Sequence, residues 1–245
     1  MQGPKCEVQF NLDMKPWNWK ICVVAILPAI TVAAQEGFVY DNTTTDTGYV
    51  LNFPNGQEIG DQVFLANNTT YPYLNSFSFE YYSPNATFTG AVTADVRFYL
   101  NDGSIFNGYS APGTIFYDSG QFAIQTPLSA VGYNSAVLSF SPADFSSGTV
   151  PLDPNTQLPS TLTVSVTFQG LSGADQVGLP VFAPPTVGYN YGDYWFNNGG
   201  SWELQTNTVK VKFAMELDGV PEPGTLCLSA VGAALLAGFA RRRRQ

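Results

Sequence analysis

Ser76-Phe77-Ser78-Phe79-Glu80-Tyr81 alternates polar and aromatic side chains one by one. A β-strand turns successive side chains to opposite faces, so Phe77, Phe79 and Tyr81 share one face while Ser76, Ser78 and Glu80 take the other. That is the pattern of a strand with one side in a core and the other in water. The same alternation returns in Thr161-Leu162-Thr163-Val164-Ser165-Val166-Thr167-Phe168 and in Val209-Lys210-Val211-Lys212-Phe213. Outward from these, strands are predicted over residues 48–53, 61–66, 74–82, 91–101, 114–117, 136–140, 161–169 and 209–217, with no amphipathic helix among them. Asn55-Gly56, Asn101-Asp102-Gly103, Ala111-Pro112-Gly113, Asp118-Ser119-Gly120 and Asn198-Gly199-Gly200 supply the turns between them. The expected fold is all-β, an antiparallel β-sandwich of jelly-roll-like form spanning residues 35–219.

Composition narrows the chemistry. The 245 residues include no histidine, which removes imidazole bases, imidazole metal ligands and every triad built on them. The three cysteines, Cys6, Cys22 and Cys227, all lie in the terminal segments, so the body is expected to hold neither a thiol nucleophile nor a disulfide. Between residues 35 and 219 sixteen acidic side chains face three basic ones, Arg97, Lys210 and Lys212. Phosphate backbones need a basic face, so no nucleic-acid partner is expected.

The two ends read as targeting segments. Lys15, Trp17, Trp19 and Lys20 precede an apolar run over residues 21–30 and then Thr31-Val32-Ala33-Ala34. Basic region, short apolar region and small-residue cleavage site follow in the order of a signal peptide covering residues 1–34, with Met14 as an alternative start. At the other end Val220-Pro221-Glu222-Pro223-Gly224-Thr225 leads into an apolar run over residues 226–240, then Arg241, Arg242, Arg243, Arg244 and Gln245. A helix over residues 225–240 would be about 24 Å long at ~1.5 Å per residue, a little short of a ~30 Å hydrocarbon core, which snorkelling arginines can make up. The arginines would hold its far end in the cytoplasm and place the acidic body outside.

This tail, residues 220–245, closely resembles the PEP-CTERM sorting signal of exported bacterial proteins, in which a Pro-Glu-Pro motif, a hydrophobic helix and an arginine cluster follow in that order. The resemblance implies recognition of Val220, Pro221, Glu222 and Pro223 by an exosortase-type membrane protease-transpeptidase. It also implies a membrane-anchored precursor and a mature form at the cell surface or outside the cell, in bacteria that make exopolysaccharide. The segments Asp95-Val96-Arg97-Phe98-Tyr99-Leu100-Asn101-Asp102-Gly103 and Ala111-Pro112-Gly113-Thr114-Ile115-Phe116-Tyr117-Asp118-Ser119-Gly120 are similar to a strand-loop-strand pattern of secreted β-sandwich proteins with such tails.

Three functions follow as expectations, in this order. The first is a non-enzymatic cell-surface or extracellular-matrix protein without a cofactor. The second is a carbohydrate-binding module for exopolysaccharide, using Tyr194, Trp195 and Trp202 from the aromatic run 189–202, since ring faces stack on sugars. The third is a carboxylate-based glycosidase drawing on acids such as Asp95, Asp102 and Asp118. Asn101, Asp102 and Asp118 are also the first place to look for calcium, whose ligands are oxygens of this kind.

Overall fold

The structure, a computed structural model, describes residues 37–127, 135–206 and 210–222. All fall within the compact unit Ala33–Gln245. The expected signal peptide 1–34, the hydrophobic segment 225–240, Pro223 and the arginines Arg241 to Arg244 lie outside the described residues. Among the described residues no helix is long and apolar enough to cross a membrane.

In chain order the strands are β1 Gly37–Asp41, β2 Asp46–Asn52, β3 Glu58–Phe64, β4 Tyr73–Tyr82, β5 Thr93–Leu100, β6 Ile105–Phe106, β7 Tyr109–Ser110, β8 Ile115–Asp118, β9 Phe122–Ala123 and β10 Ser135–Phe140. The short helix α1 Pro142–Ser147 follows, then β11 Thr161–Gln169, β12 Gly178–Phe182, β13 Tyr189–Asn198, β14 Ser201–Gln205 and β15 Met215–Val220. They form two main antiparallel sheets and a small hairpin. The first sheet runs β1-β15-β4-β12-β2, with β10 on the free edge of β4. The second runs β14-β13-β3-β11-β5-β8, with β9 also on β5, and β6 pairs β7.

Alternation explains how the sheets share one core. Phe77, Phe79 and Tyr81 of β4 are buried while their neighbours along the strand stay partly exposed. From the second sheet, Ala94, Val96 and Phe98 of β5 and Leu162, Val164, Val166 and Phe168 of β11 point to the same interior. Phe77 meets Phe98 edge-on at 5.1 Å, and Phe53 meets Phe168 in the same way at 5.1 Å. Such T-shaped pairs bring the positive ring edge to the negative face and add to the burial of both rings.

Each predicted strand overlaps an observed one, with one shift. The strand expected over residues 209–217 starts only at Met215. Upstream, the Val211 N–H turns to the Gly192 carbonyl and the Phe213 N–H to the Asp61 carboxylate, so neither continues the ladder with β4. The expectation of no helix is corrected by α1, a single turn and a half. Ser141 donates from both its N–H and its hydroxyl to the Asp144 carboxylate at 2.7 Å, and Pro142 opens the helix with a ring already at helical φ. The helix inserts Phe145 beside Phe98 and Tyr117. β12 escaped the sequence reading because Gly-Leu-Pro-Val-Phe is buried on both faces and so shows no period of two.

Asp61 is the exception inside this core. Its side chain is wholly buried, accepting from Asn190 Nδ2 at 3.1 and 2.9 Å and from the Phe213 N–H at 3.0 Å. Burial lifts its pKa to about 7 despite these hydrogen bonds and the nearby Lys212. An aspartate in the unfolded chain titrates near ~4, so the folded state binds the extra proton between those values and loses stability as pH rises through that window. The wild-type chain should therefore gain melting temperature relative to Asp61→Asn as pH drops from about 8 to about 5. A difference between the two that does not change with pH in thermal denaturation rejects this.

Candidate functional site

The core faces of β3, β5 and β11 fix what their opposite faces carry. Where Ala94, Val96 and Phe98 point inward, Asp95, Arg97 and Tyr99 must point out, and Thr163, Ser165 and Thr167 do the same on β11. Register then sets neighbours: Ser165 lies between Gly60 and Arg97, Thr167 between Glu58 and Asp95, Asn197 opposite Glu58, and Arg97 opposite Asp118. This outer face is polar yet mostly shielded. Glu58, Asp95 and Asp118 are each less than a tenth exposed.

Arg97 joins all three. Its Nε donates to Asp118 Oδ2 at 2.7 Å, Nη2 to Asp95 Oδ2 at 2.6 Å and Nη1 to Glu58 Oε2 at 3.4 Å. Glu58 completes its shell by accepting from Tyr99 Oη at 2.7 Å, Ser165 Oγ at 2.6 Å and Asn197 Nδ2 at 2.8 Å. Burial works against the Arg97 charge, but Asp118, Asp95 and Glu58 outweigh it and hold the guanidinium more firmly protonated than free arginine. Asp95 goes the other way: its burial exceeds what one shared cation returns, and its proton affinity rises. Tyr99 is likewise raised, by burial and then by Glu58.

Tyr99 also meets Trp202 edge-on at 5.3 Å. Three strands, β11, β3 and β13, separate β5 from β14, a flat width of about 19 Å at ~4.8 Å per strand. Two side chains cannot span that, so the sheet curls toward this face. A recess of about 220 Å³ opens there beside Glu58, Arg97, Thr167, Gln169, Asn197 and the Gly199-Gly200 turn.

The aromatic residues singled out in the sequence are split between faces. Tyr194 packs against the core, whereas Trp195 and Trp202 lie on the curled outer face. Trp195 is 0 % exposed, with Nε1 directed at Gln62 Oε1 at 3.4 Å, and Trp202 is half-buried. The three do not form one exposed platform. The suggested calcium ligands are also engaged separately. Asp102 clasps Thr114 through its N–H and hydroxyl, both at 2.7 Å. Asn101 Oδ1 accepts from Thr163 Oγ1 at 2.7 Å, and Asp118 serves Arg97 and the Gly120 N–H. Among the described residues no three acidic or thiol side chains are grouped as a metal site. Asp95 and Asp118 do come together, but around a guanidinium. Glu58, Ser165 and Asn197, which complete that cluster, come from β3, β11 and β13; the alternation in Asp-Val-Arg-Phe-Tyr marks the outward residues of β5 but not these partners.

The remaining site is the exit of the chain. β15 ends with Gly219 opposite Leu74 and Val220 opposite Tyr73. A Cβ on Gly219 would stand 2.5 Å from the Tyr71 carbonyl oxygen, so only glycine fits this close approach. Pro221 has no N–H for a further ladder bond, and the chain leaves the sheet there. Glu222 is exposed, accepting from Gln157 Nε2 at 3.3 Å. Residues 219–244, beginning at this point, match the family model of the PEP-CTERM protein-sorting motif. The chain carries a PEP-CTERM tail. The motif is that of an exported protein processed by an exosortase-type system. No curated protein and no solved structure matches the chain.

The Arg97 cluster, on the body that carries this PEP-CTERM tail, has a direct energetic consequence. Arg97→Gln strands three shielded carboxylates and should destabilise the fold by about 2–4 kcal/mol, discounted from the ~3–5 kcal/mol of a broken buried pair because Arg97 is itself partly solvated. The loss should shrink in acid, as Asp95 takes up a proton and the repulsion falls. Urea denaturation at neutral and acidic pH measures both, and a variant as stable as wild type at neutral pH contradicts the argument.

Proposed function

We propose that the protein is a non-enzymatic cell-surface or extracellular-matrix component, a jelly-roll-like β-sandwich displayed outside the cell after an exosortase-type protease-transpeptidase has removed its tail. One observation carries this reading: the folded sheet ends at Val220, where the half-buried Pro221 and the exposed Glu222 leave it without strand pairing. The enzyme can therefore bind the motif as an extended peptide without unfolding the body. Residues 226–240 would anchor the precursor, and Arg241, Arg242, Arg243 and Arg244 would keep its end cytoplasmic. The non-enzymatic part is supported by the state of the carboxylates, since Asp95 and Asp118 are both committed to Arg97.

Intact-mass measurement of the protein from the surface of its native host should find a chain that ends near residue 223 and lacks the arginine block. Replacement of Pro221, Glu222 and Pro223 by alanine should leave export intact and accumulate uncut precursor in the membrane fraction. A mature surface chain that still carries Gln245 refutes the proposal.

A further inference from the structure

About 20 Å along β3 from Glu58, at ~3.4 Å per residue, the outer face of the second sheet changes character. Phe64 at the end of β3 sits opposite Tyr189 of β13. Their rings are 5.8 Å apart, and both contact Tyr191, at 4.9 Å from Phe64 and 5.5 Å from Tyr189. Tyr109, from the β6–β7 hairpin, closes on Tyr191 from another side at 4.7 Å. These rings are not spent on the core: Tyr189 is 51 % and Tyr191 41 % exposed.

The cluster is built by a break in β13. Register slips between Asn190 and Tyr194, so the intervening residues bulge out of the ladder. Gly192 makes this feasible with φ +80°, and a Cβ there would stand 2.8 Å from Lys210 Cβ. The bulge carries Asp193 to Tyr109 Oη, which donates to it at 2.9 Å, and to Lys210 Nζ at 3.2 Å. Lys212 Nζ lies 5.6 Å over the Tyr189 ring. Four rings are thus held in place and rimmed by a carboxylate, two ammonium groups and phenol hydroxyls.

Exposed aromatic groups of this extent on a folded surface mark binding sites, and rings with a polar rim suit a ligand that is apolar on its faces and hydroxylated at its edges. A pyranose sugar is such a ligand. Charge selects the kind. Of the three basic side chains between residues 35 and 219, Arg97 is consumed by its carboxylates, Lys210 is paired with Asp193 and Lys212 alone stands over a ring of the site, a single cation on a body with sixteen acids. A polyanion would be repelled. We propose that Tyr109, Tyr189 and Tyr191 form a binding site for neutral polysaccharide, a proposal that rests on the reading of the body as displayed outside the cell.

Affinity electrophoresis of the purified full-length chain in detergent tests it, in native gels containing soluble mixed-linkage β-glucan, galactomannan, dextran or polygalacturonate. At least one neutral polymer should retard the protein. Tyr189→Ala and Tyr191→Ala should each weaken that retardation about tenfold. Tyr191→Phe, which keeps the ring, should retain it, as should Tyr49→Ala, an equally exposed tyrosine on β2 of the other sheet. Lack of retardation by every neutral polymer, retardation by polygalacturonate alone, or equal retardation of all variants overturns the proposal. So does a wild-type dimer in sedimentation that Tyr191→Ala dissolves, because the rings would then be an interface between copies. Binding is read on purified protein, so its failure is separate from a failure of tail processing, which only the mass of the surface chain reports.

Discussion

Arg97 binds three carboxylates from three different strands, and the second sheet is organised around that fact. Glu58 belongs to β3, Asp95 to β5 and Asp118 to β8, while Ser165 of β11 and Asn197 of β13 reach the same cluster through Glu58. Between residues 35 and 219 it is the one arginine of the sequence. A lysine could not replace it, since a single ammonium does not offer donors along three directions of a planar fork. The cluster makes a shielded polar face tolerable opposite an apolar one, at the expense of Asp95, which is buried more deeply than one shared cation compensates.

That arrangement also shapes the sheet. Tyr99 of β5 reaches across β11 to donate to Glu58 of β3, and its ring meets Trp202 on the far strand. Gly60 leaves room for Thr163 of β11: a Cβ there would stand 2.7 Å from Thr163 Cγ2. A curled, polar, largely filled face at one end and an open aromatic one at the other follow from a single alternation along β3 and β13, interrupted once by the bulge at Gly192.

The first sheet does different work. Its strand β15 lies between β1 and β4 and runs directly into the PEP-CTERM motif. A strand paired on both sides cannot be pulled out without disrupting the core, so the motif hangs from an interior strand of the sheet. Tail recognition and body folding are separated by the one residue type, proline, that ends a ladder.

The sequence by itself determined the class of fold, the strands with one wet face, and the sorting tail. Those are local properties: a period of two is written in Phe77, Phe79 and Tyr81 residue by residue, and Pro221-Glu222-Pro223 needs no partner to be read. It could not reveal β12, buried on both faces, nor the helix announced only by Ser141-Pro142 and Asp144. Tertiary structure alone decided which outward residues meet. Glu58 and Arg97 are thirty-nine positions apart and Glu58 and Asn197 one hundred and thirty-nine, so their contact depends on strand order and register, which no local pattern encodes. The same holds for the aromatic run 189–202. Its composition is visible in the chain, but only the folded sheet decides that Tyr189 and Tyr191 face solvent beside the bulge in β13 while Trp195, farther along the same outer face, is buried.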